Sequence, residues 1–233
     1  RARPRRGRRR GLSQVFAGTR TRRLPGCTAT STVASVVRGS PSVWMSPAAG
    51  RSSTNVRACS RCTAGQSWTW DGVAFVVLHP HASDYRDGAK PNALSCVVRI
   101  RAASTAALPQ PPSALLAGDI ESAQEQRLVM QPADLRADLL LVPHHGSRTS
   151  SSAAFLDAVA PRLALVQSGY RNRFGHPAAE PMARYAQRSV PVADSPRCGA
   201  MAWQSEQPGV VSCHRLQRAR YWNHRVPVRS PLQ

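Results

Sequence analysis

Two adjacent histidines, His144 and His145, follow the apolar run 137–142 and precede Gly146 and a Ser/Thr run. Imidazole can ligate a metal, exchange a proton near neutral pH, or contact a phosphoryl oxygen. Three more candidates also sit at the ends of predicted strands: Asp119 in Leu-Leu-Ala-Gly-Asp-Ile, His176 in Phe-Gly-His-Pro, and His79 in Leu-His-Pro. An aspartate able to bridge two cations, with histidines from separate strand ends, suits a binuclear metal site. Such a site makes hydroxide at neutral pH and clamps a phosphoryl oxygen. Singly the signals are weak, since Gly-Asp and Gly-His-Pro are ordinary turns and a lone His-His pair more often bonds backbone. Their order along the chain gives them weight.

The elements that must position them are legible in the hydrophobic pattern. Residues 66–72 read as a turn containing an Asp71-Gly72 step, and 73–79 as a strand rich in β-branched residues. Residues 94–100 and 114–117 read as strands, with 103–113 a surface loop between them. From there strands and helices alternate. A helix over 121–130 carries Glu121 and Glu125 early and Arg127 late, matching the helix dipole. A strand at 139–142 leads to a helix over 151–159, whose Ala154, Phe155, Ala158 and Val159 share one face. A strand at 162–167, a loop at 169–177, a helix at 180–188 and a strand at 190–193 follow. Residues 199–203 and 210–213 read as a hairpin. Strands first, then alternating units, predict a layered α/β domain with helices covering a sheet. On an extended segment His144 and His145 would point opposite ways, one toward a site and the other bracing it.

Charge divides the chain unevenly. Of 32 Lys and Arg residues, 14 lie within 1–70, whereas all 12 Asp and Glu lie beyond it, within a net charge of +20. Apart from Lys90 the basic residues are Arg, which GC-rich codons favour, so the charge alone does not establish a nucleic-acid binder. Residues 1–64 show no sustained period and too little apolar content, and are expected to be a disordered basic segment. The ordered domain is expected over 65–225, with a short tail at 226–233. Cys59-Ser-Arg-Cys62 is a single CxxC without a second pair, which argues against zinc. The six cysteines are too scattered for a disulfide scaffold, and Cys96 and Cys213 are expected to be buried free thiols. No stretch approaches the ~20 apolar residues that span a bilayer. The chain starts at Arg1 without Met and reads as a fragment.

Residues 64 to 225 resemble the C-terminal metallo-β-lactamase-like domain of ComEC-type competence proteins. The matching runs are Trp-Asp-Gly-Val-Ala-Phe-Val-Val-Leu-His-Pro (70–80), Lys-Pro-Asn-Ala-Leu-Ser-Cys-Val-Val-Arg (90–99) and Leu-Leu-Ala-Gly-Asp-Ile (115–120). To these add Val-Pro-His-His-Gly-Ser-Arg-Thr-Ser-Ser (142–151) and Gly-Tyr-Arg-Asn-Arg-Phe-Gly-His-Pro (169–177). The resemblance implies part of an αββα sandwich, its C-terminal half, in a polytopic inner-membrane DNA-uptake protein. It implies a Mn or Zn site with Asp119 as bridging ligand and His145 as a metal ligand. His144, His145 and His176 would be catalytic, with Asn92, Ser147, Arg171, Asn172 and Arg173 lining the substrate cleft. The expected partners are DNA, in single-stranded form, and the channel portion of the full-length protein.

One departure weighs against activity. The family's His-x-(His/Asp)-x-Asp-His run should precede Trp70, yet residues 1–69 contain neither His nor Asp. The first third therefore reads as degenerate or frameshifted, and the domain as a metal-dependent nuclease left inactive as it stands, with metal bound weakly if at all. The alternative from another class is a non-catalytic DNA-binding module. There Arg171, Arg173, Arg184, Arg188, Arg215, Arg218, Arg220 and Arg225 would meet phosphate, and Tyr170, Tyr221 and Trp222 would stack on bases.

Overall fold

The computed structural model describes residues 61–102, 104 and 109–222, with the backbone of 14–17 and 34–37. Two short strands, β1 (Gln14–Ala17) and β2 (Ala34–Val37), therefore lie within the segment expected to lack order. The rest of that segment, and the tail at 226–233, fall outside the described residues. Next come β3 (Ser67–Trp70) and β4 (Val73–His79), an antiparallel hairpin joined at Asp71-Gly72. Residues 67–70, expected in a turn, are thus a strand, and the turn shrinks to its two central residues.

The chain continues through β5 (Val97–Ala102) and β6 (Ser113–Leu116), then helix α1 (Ser122–Val129). Strand β7 (Leu139–Leu141), helix α2 (Ala153–Val159), strand β8 (Leu163–Val166), helix α3 (Ala179–Gln187) and strand β9 (Val192–Asp194) complete the alternation. Strands β10 (Met201–Gln204) and β11 (Val211–Cys213) form the expected hairpin. The fold is mixed α/β, as the alternation predicted. Strands β3 to β9 make a seven-stranded sheet in chain order, and β11-β10-β1-β2 make a second, four-stranded sheet.

Side-chain alternation along the central strands shows why the layers stack. In β7, Leu140 packs with Phe155, Leu156, Val159 and Tyr185 of the helices, whereas Leu139 and Leu141 face Met201 and Trp203 of β10. A strand buried on both faces needs such a continuous apolar run. Helices thus cover one face of the large sheet and the second sheet covers the other.

Strand direction decides where the chemistry goes. Strands β6 to β9 run parallel, and β5 is antiparallel to both β4 and β6. The carboxyl ends of β4, β6, β7 and β8 therefore share one edge, and the residues just before β5 arrive there too. Open α/β sheets place ligands at this edge.

The cysteines depart from expectation. Cys96 is bonded to Cys62 and Cys213 to Cys198, so neither is a free thiol. The residue just before β5 meets the start of the domain 34 positions away, and the β10–β11 register sets Cys213 opposite Met201, close to Cys198. Those proximities come from strand pairing, which an apolar context around one cysteine does not report. Among the described residues no helix is long and apolar enough to cross a membrane.

Candidate functional site

Asp119 follows β6 through Gly118, whose φ of +60° is readily reached only without a Cβ. A Cβ there would also lie 3.0 Å from Ser95 Cβ and 3.2 Å from the Cys96 carbonyl oxygen, so glycine lets this turn lie against the chain entering β5. The His144 amide donates to the Gly118 carbonyl at 2.9 Å and ties the next turn to it.

His144 and His145 do not continue β7 in extended form. They occupy a tight turn at Pro143–Gly146 with φ of 48° and 57°, both left-handed. The expected alternation to opposite faces therefore fails, because Pro143 ends the strand first. Left-handed non-glycine residues cost of order 1–3 kcal/mol each and persist only where surroundings over-determine them. Here the Ser150 hydroxyl is 2.9 Å from the Pro143 carbonyl and 3.0 Å from that of Ser147. Buried Glu125 of α1 accepts the Ser151 and Ser152 amides at 2.5 and 2.8 Å, and Arg184 donates to the Ser150 and Ser151 carbonyls. Burial pushes the Glu125 carboxyl above its usual value, against the opposing pull of those amide bonds. Ser152 stands at the start of α2, but its hydroxyl makes no capping bond, so Glu125 rather than the Ser/Thr run anchors the helix start.

Each histidine has a defined partner set. The His145 Nδ1 lies 2.6 Å from the Gln167 carbonyl, which can only accept, so the ring proton sits there. Its Nε2 then presents a lone pair to Asp119 Oδ1 at 3.4 Å. His144 Nε2 is 3.3 Å from Asn92 Nδ2, whose amide is also 3.3 Å from Glu121 Oε1. Accepting from Asn92 leaves the His144 proton on Nδ1, 3.5 Å from Glu121 Oε1 and without a hydrogen-bond partner. His176 reaches the same place: its ring centroid is 6.0 Å from that of His144, and its Nδ1 is buried and unpartnered. Burial, and then the neighbouring His144 and His145, hold its pKa below the usual 6.5. Gly146 permits this approach, since a Cβ there would lie 2.7 Å from Pro177 Cβ.

Five candidates from the sequence thus converge on one sheet edge: Asp119, His144, His145, His176 and Asn92. Others are engaged elsewhere. The Ser147 hydroxyl sits 3.2 Å from that of Thr149. The Asn172 amide group bonds Gly169, Phe174 and His176 backbone inside its own loop. Arg184 and Arg188 bond Glu180 and Asp157 along the helical layer. Arg171 and Arg173 lie over the rings of Tyr170 and Phe174. Arg225 lies outside the described residues.

His79 is wholly buried at the end of β4, and its Nε2 is 2.9 Å from the Ala93 carbonyl, beneath the turn that carries Asn92. Burial depresses its pKa, partly offset by that backbone bond and by Asp84. It braces the cleft from below. Sequence reasoning missed Glu121, the Gln167 carbonyl and Glu125. Glu121, two residues after Asp119, was the one open to detection, as a second acid on the same turn.

The implied metal can be tested against the donors. Asp119 Oδ1 and His145 Nε2 are two acceptors facing each other, which a cation or a proton could reconcile. A catalytic zinc takes three protein ligands, and among the described residues no group of three or more His, Cys, Asp or Glu is arranged to hold a metal ion. The donor set described does not make a metal centre.

No protein-family model matches the chain. Among curated proteins it is 33% identical over 169 residues to competence protein ComA of Neisseria gonorrhoeae, covering 72% of this chain and 23% of that protein. The similarity is to competence proteins. Recombination protein 2 of Haemophilus influenzae is 36% identical over 116 residues, 50% of this chain and 13% of its own length. The uncharacterized protein YcaI of Escherichia coli is 31% identical over 193 residues, 81% and 24% respectively. The chain thus spans about a quarter or less of the relatives it matches.

Proposed function

We propose that this chain supplies the DNA-handling domain of a competence-related uptake protein, with the sheet-edge cleft taking a phosphodiester of the incoming strand. The observation that carries the reading is the convergence of three imidazoles on one sheet edge, the His144 ring 6.5 Å from that of His145 and 6.0 Å from that of His176. An imidazole N–H is a donor that a phosphate oxygen accepts. Asn92 would hold the His144 ring and the Gln167 carbonyl that of His145. The competence names of the relatives support the general role.

The resemblance to a metallo-β-lactamase-like nuclease extends the proposal to the intact family protein, where Mn or Zn and a membrane channel would take part, whereas in this chain the stretch before Trp70 that should carry the first ligands has neither His nor Asp. For this chain alone, two donors do not sustain hydrolysis through a metal, so binding without cutting is the expected behaviour. The non-catalytic reading has its own support in the arginine–aromatic pairs at Tyr170–Arg171 and Arg173–Phe174.

Labelled oligonucleotides decide between these outcomes. Binding should weaken steeply with salt, as phosphate contacts require, and His144→Ala with His176→Ala should weaken it further. Chelator-sensitive cleavage by this chain would overturn the binding-only expectation. Failure of the chain to bind any oligonucleotide at low salt would overturn the DNA reading altogether.

A further inference from the structure

The loop at 169–177 is built around Asn172. Its Nδ2 donates to the Gly169 carbonyl at 2.9 Å and the His176 carbonyl at 2.6 Å, and its Oδ1 accepts the Phe174 and His176 amides at 3.2 and 3.0 Å. This asparagine braces the loop from inside, and the side chains beside it are left outward. Phe174 is 67% exposed and Tyr170 41%. An aromatic ring that open loses the burial that normally justifies its place.

Its surroundings give the exposed ring a use. The Arg173 guanidinium lies 4.8 Å from the Phe174 centroid and that of Arg171 lies 5.3 Å from Tyr170. The loop contains no acidic residue, and among the described residues neither arginine is in an ion pair. Phe174 is also stacked near His176, 5.8 Å away and tilted by only 18°, and His176 in turn meets His144 edge-on. A line of π faces therefore runs from the open loop into the cleft, flanked by two unneutralised cations. Rings that take bases and cations that take the backbone are how single strands are gripped without sequence preference. In a duplex each base face is already covered by its neighbours, so Phe174 has no face to meet.

We propose that this loop is a single-strand DNA grip that feeds the cleft. An unpaired base stacks on Phe174, and Arg171 and Arg173 take flanking phosphates. The next phosphate is then presented to His176 and His144. The proposal rests on the DNA reading above and adds Phe174 as the residue whose open face selects an unpaired base.

The test uses the full chain, a labelled oligothymidylate and a duplex of mixed sequence, with fluorescence anisotropy as readout. Phe174→Ala should weaken single-strand binding roughly five- to hundredfold and leave duplex binding unchanged. Phe174→Trp should restore it, because an indole offers at least as large a face. Arg171→Ala and Arg173→Ala should each flatten the salt dependence by about one phosphate contact. Phe174 is exposed, so its loss leaves the fold intact, and an unchanged melting curve checks this. Equal weakening of both ligands by Phe174→Ala, or no weakening of either, overturns the grip while the DNA reading stands. A parent chain that binds neither ligand removes the DNA reading and the grip with it.

Discussion

His79 and His145 lie at the same edge of the same sheet, at the ends of β4 and just past β7, and their neighbourhoods do opposite things. His79 is fully buried, with one nitrogen 2.9 Å from the Ala93 carbonyl and the other 3.9 Å from Asp84. His145 also gives one nitrogen to a carbonyl, that of Gln167, but its other nitrogen opens toward Asp119 in the cleft. A histidine at a strand end is thus a brace where its ring is sealed inside the protein, as at His79 with 0% of the side chain exposed, and a cleft group where the ring stays open, as at His145 with 41%. The lesson reaches Glu125, a brace like His79, and Asp119, a cleft group like His145.

The largest test of that contrast is stability. His79→Ala removes a packed ring and orphans the Ala93 carbonyl, and should cost about 3 kcal/mol or more in urea unfolding. His145→Ala should cost less than about 1 kcal/mol. Similar losses for the two would dissolve the distinction between brace and cleft.

Glu125 sharpens it next. Glu125→Gln keeps the shape but turns an amide NH₂ toward a backbone N–H that needs an acceptor, at a cost of about 1–3 kcal/mol. Hydrogen exchange at the Ser151 and Ser152 amides should accelerate more than elsewhere. If those amides stay protected, the turn carrying His144 and His145 is held by something other than Glu125.

A smaller effect is expected with pH. The folded values of His79 and His176 lie below the usual 6.5. Between each depressed value and 6.5 the unfolded chain binds more protons than the folded one, so stability falls as pH drops through that window. Glu125, shifted upward, contributes the opposite slope above its usual 4.5. Comparing melting temperatures of the parent and His79→Gln across pH 5 to 7 (about the span of an imidazole titration) isolates the brace. The variant's profile should be flatter, and an identical slope would mean that His79 does not titrate as a buried group. The smallest expected change is that of Asp119→Asn, within about 0.5 kcal/mol of the parent, since a half-open cleft carboxylate does little for the fold. A loss several times larger would make Asp119 a structural residue.

Much of the fold was legible because its signals are local. The alternation from Ser122 to Asp194, the β10–β11 hairpin and the buried run through Leu139–Leu141 follow from periodicity and neighbouring turn residues. Asp119, His144, His145 and His176 could be singled out for the same reason, as chemically capable residues next to strand ends, whereas Asn92 came only with the family resemblance. Those patterns say what each segment is, and the chain order of the sheet then brings the segments to one edge.

The partner of each side chain was decided by tertiary structure alone. Pro143 and the bonds from Ser150, Glu125 and Arg184 turn the histidine pair into left-handed backbone. The pairing of Cys62 with Cys96 and of Cys198 with Cys213 depends on which strand lies beside which. So does the meeting of His145 with the Gln167 carbonyl, 22 positions away. Periodicity carries information over one or two turns of chain, whereas a hydrogen bond or disulfide needs ångström proximity between distant segments. Only strand order and register supply that, and they separate the histidine that braces from the histidine that faces the cleft.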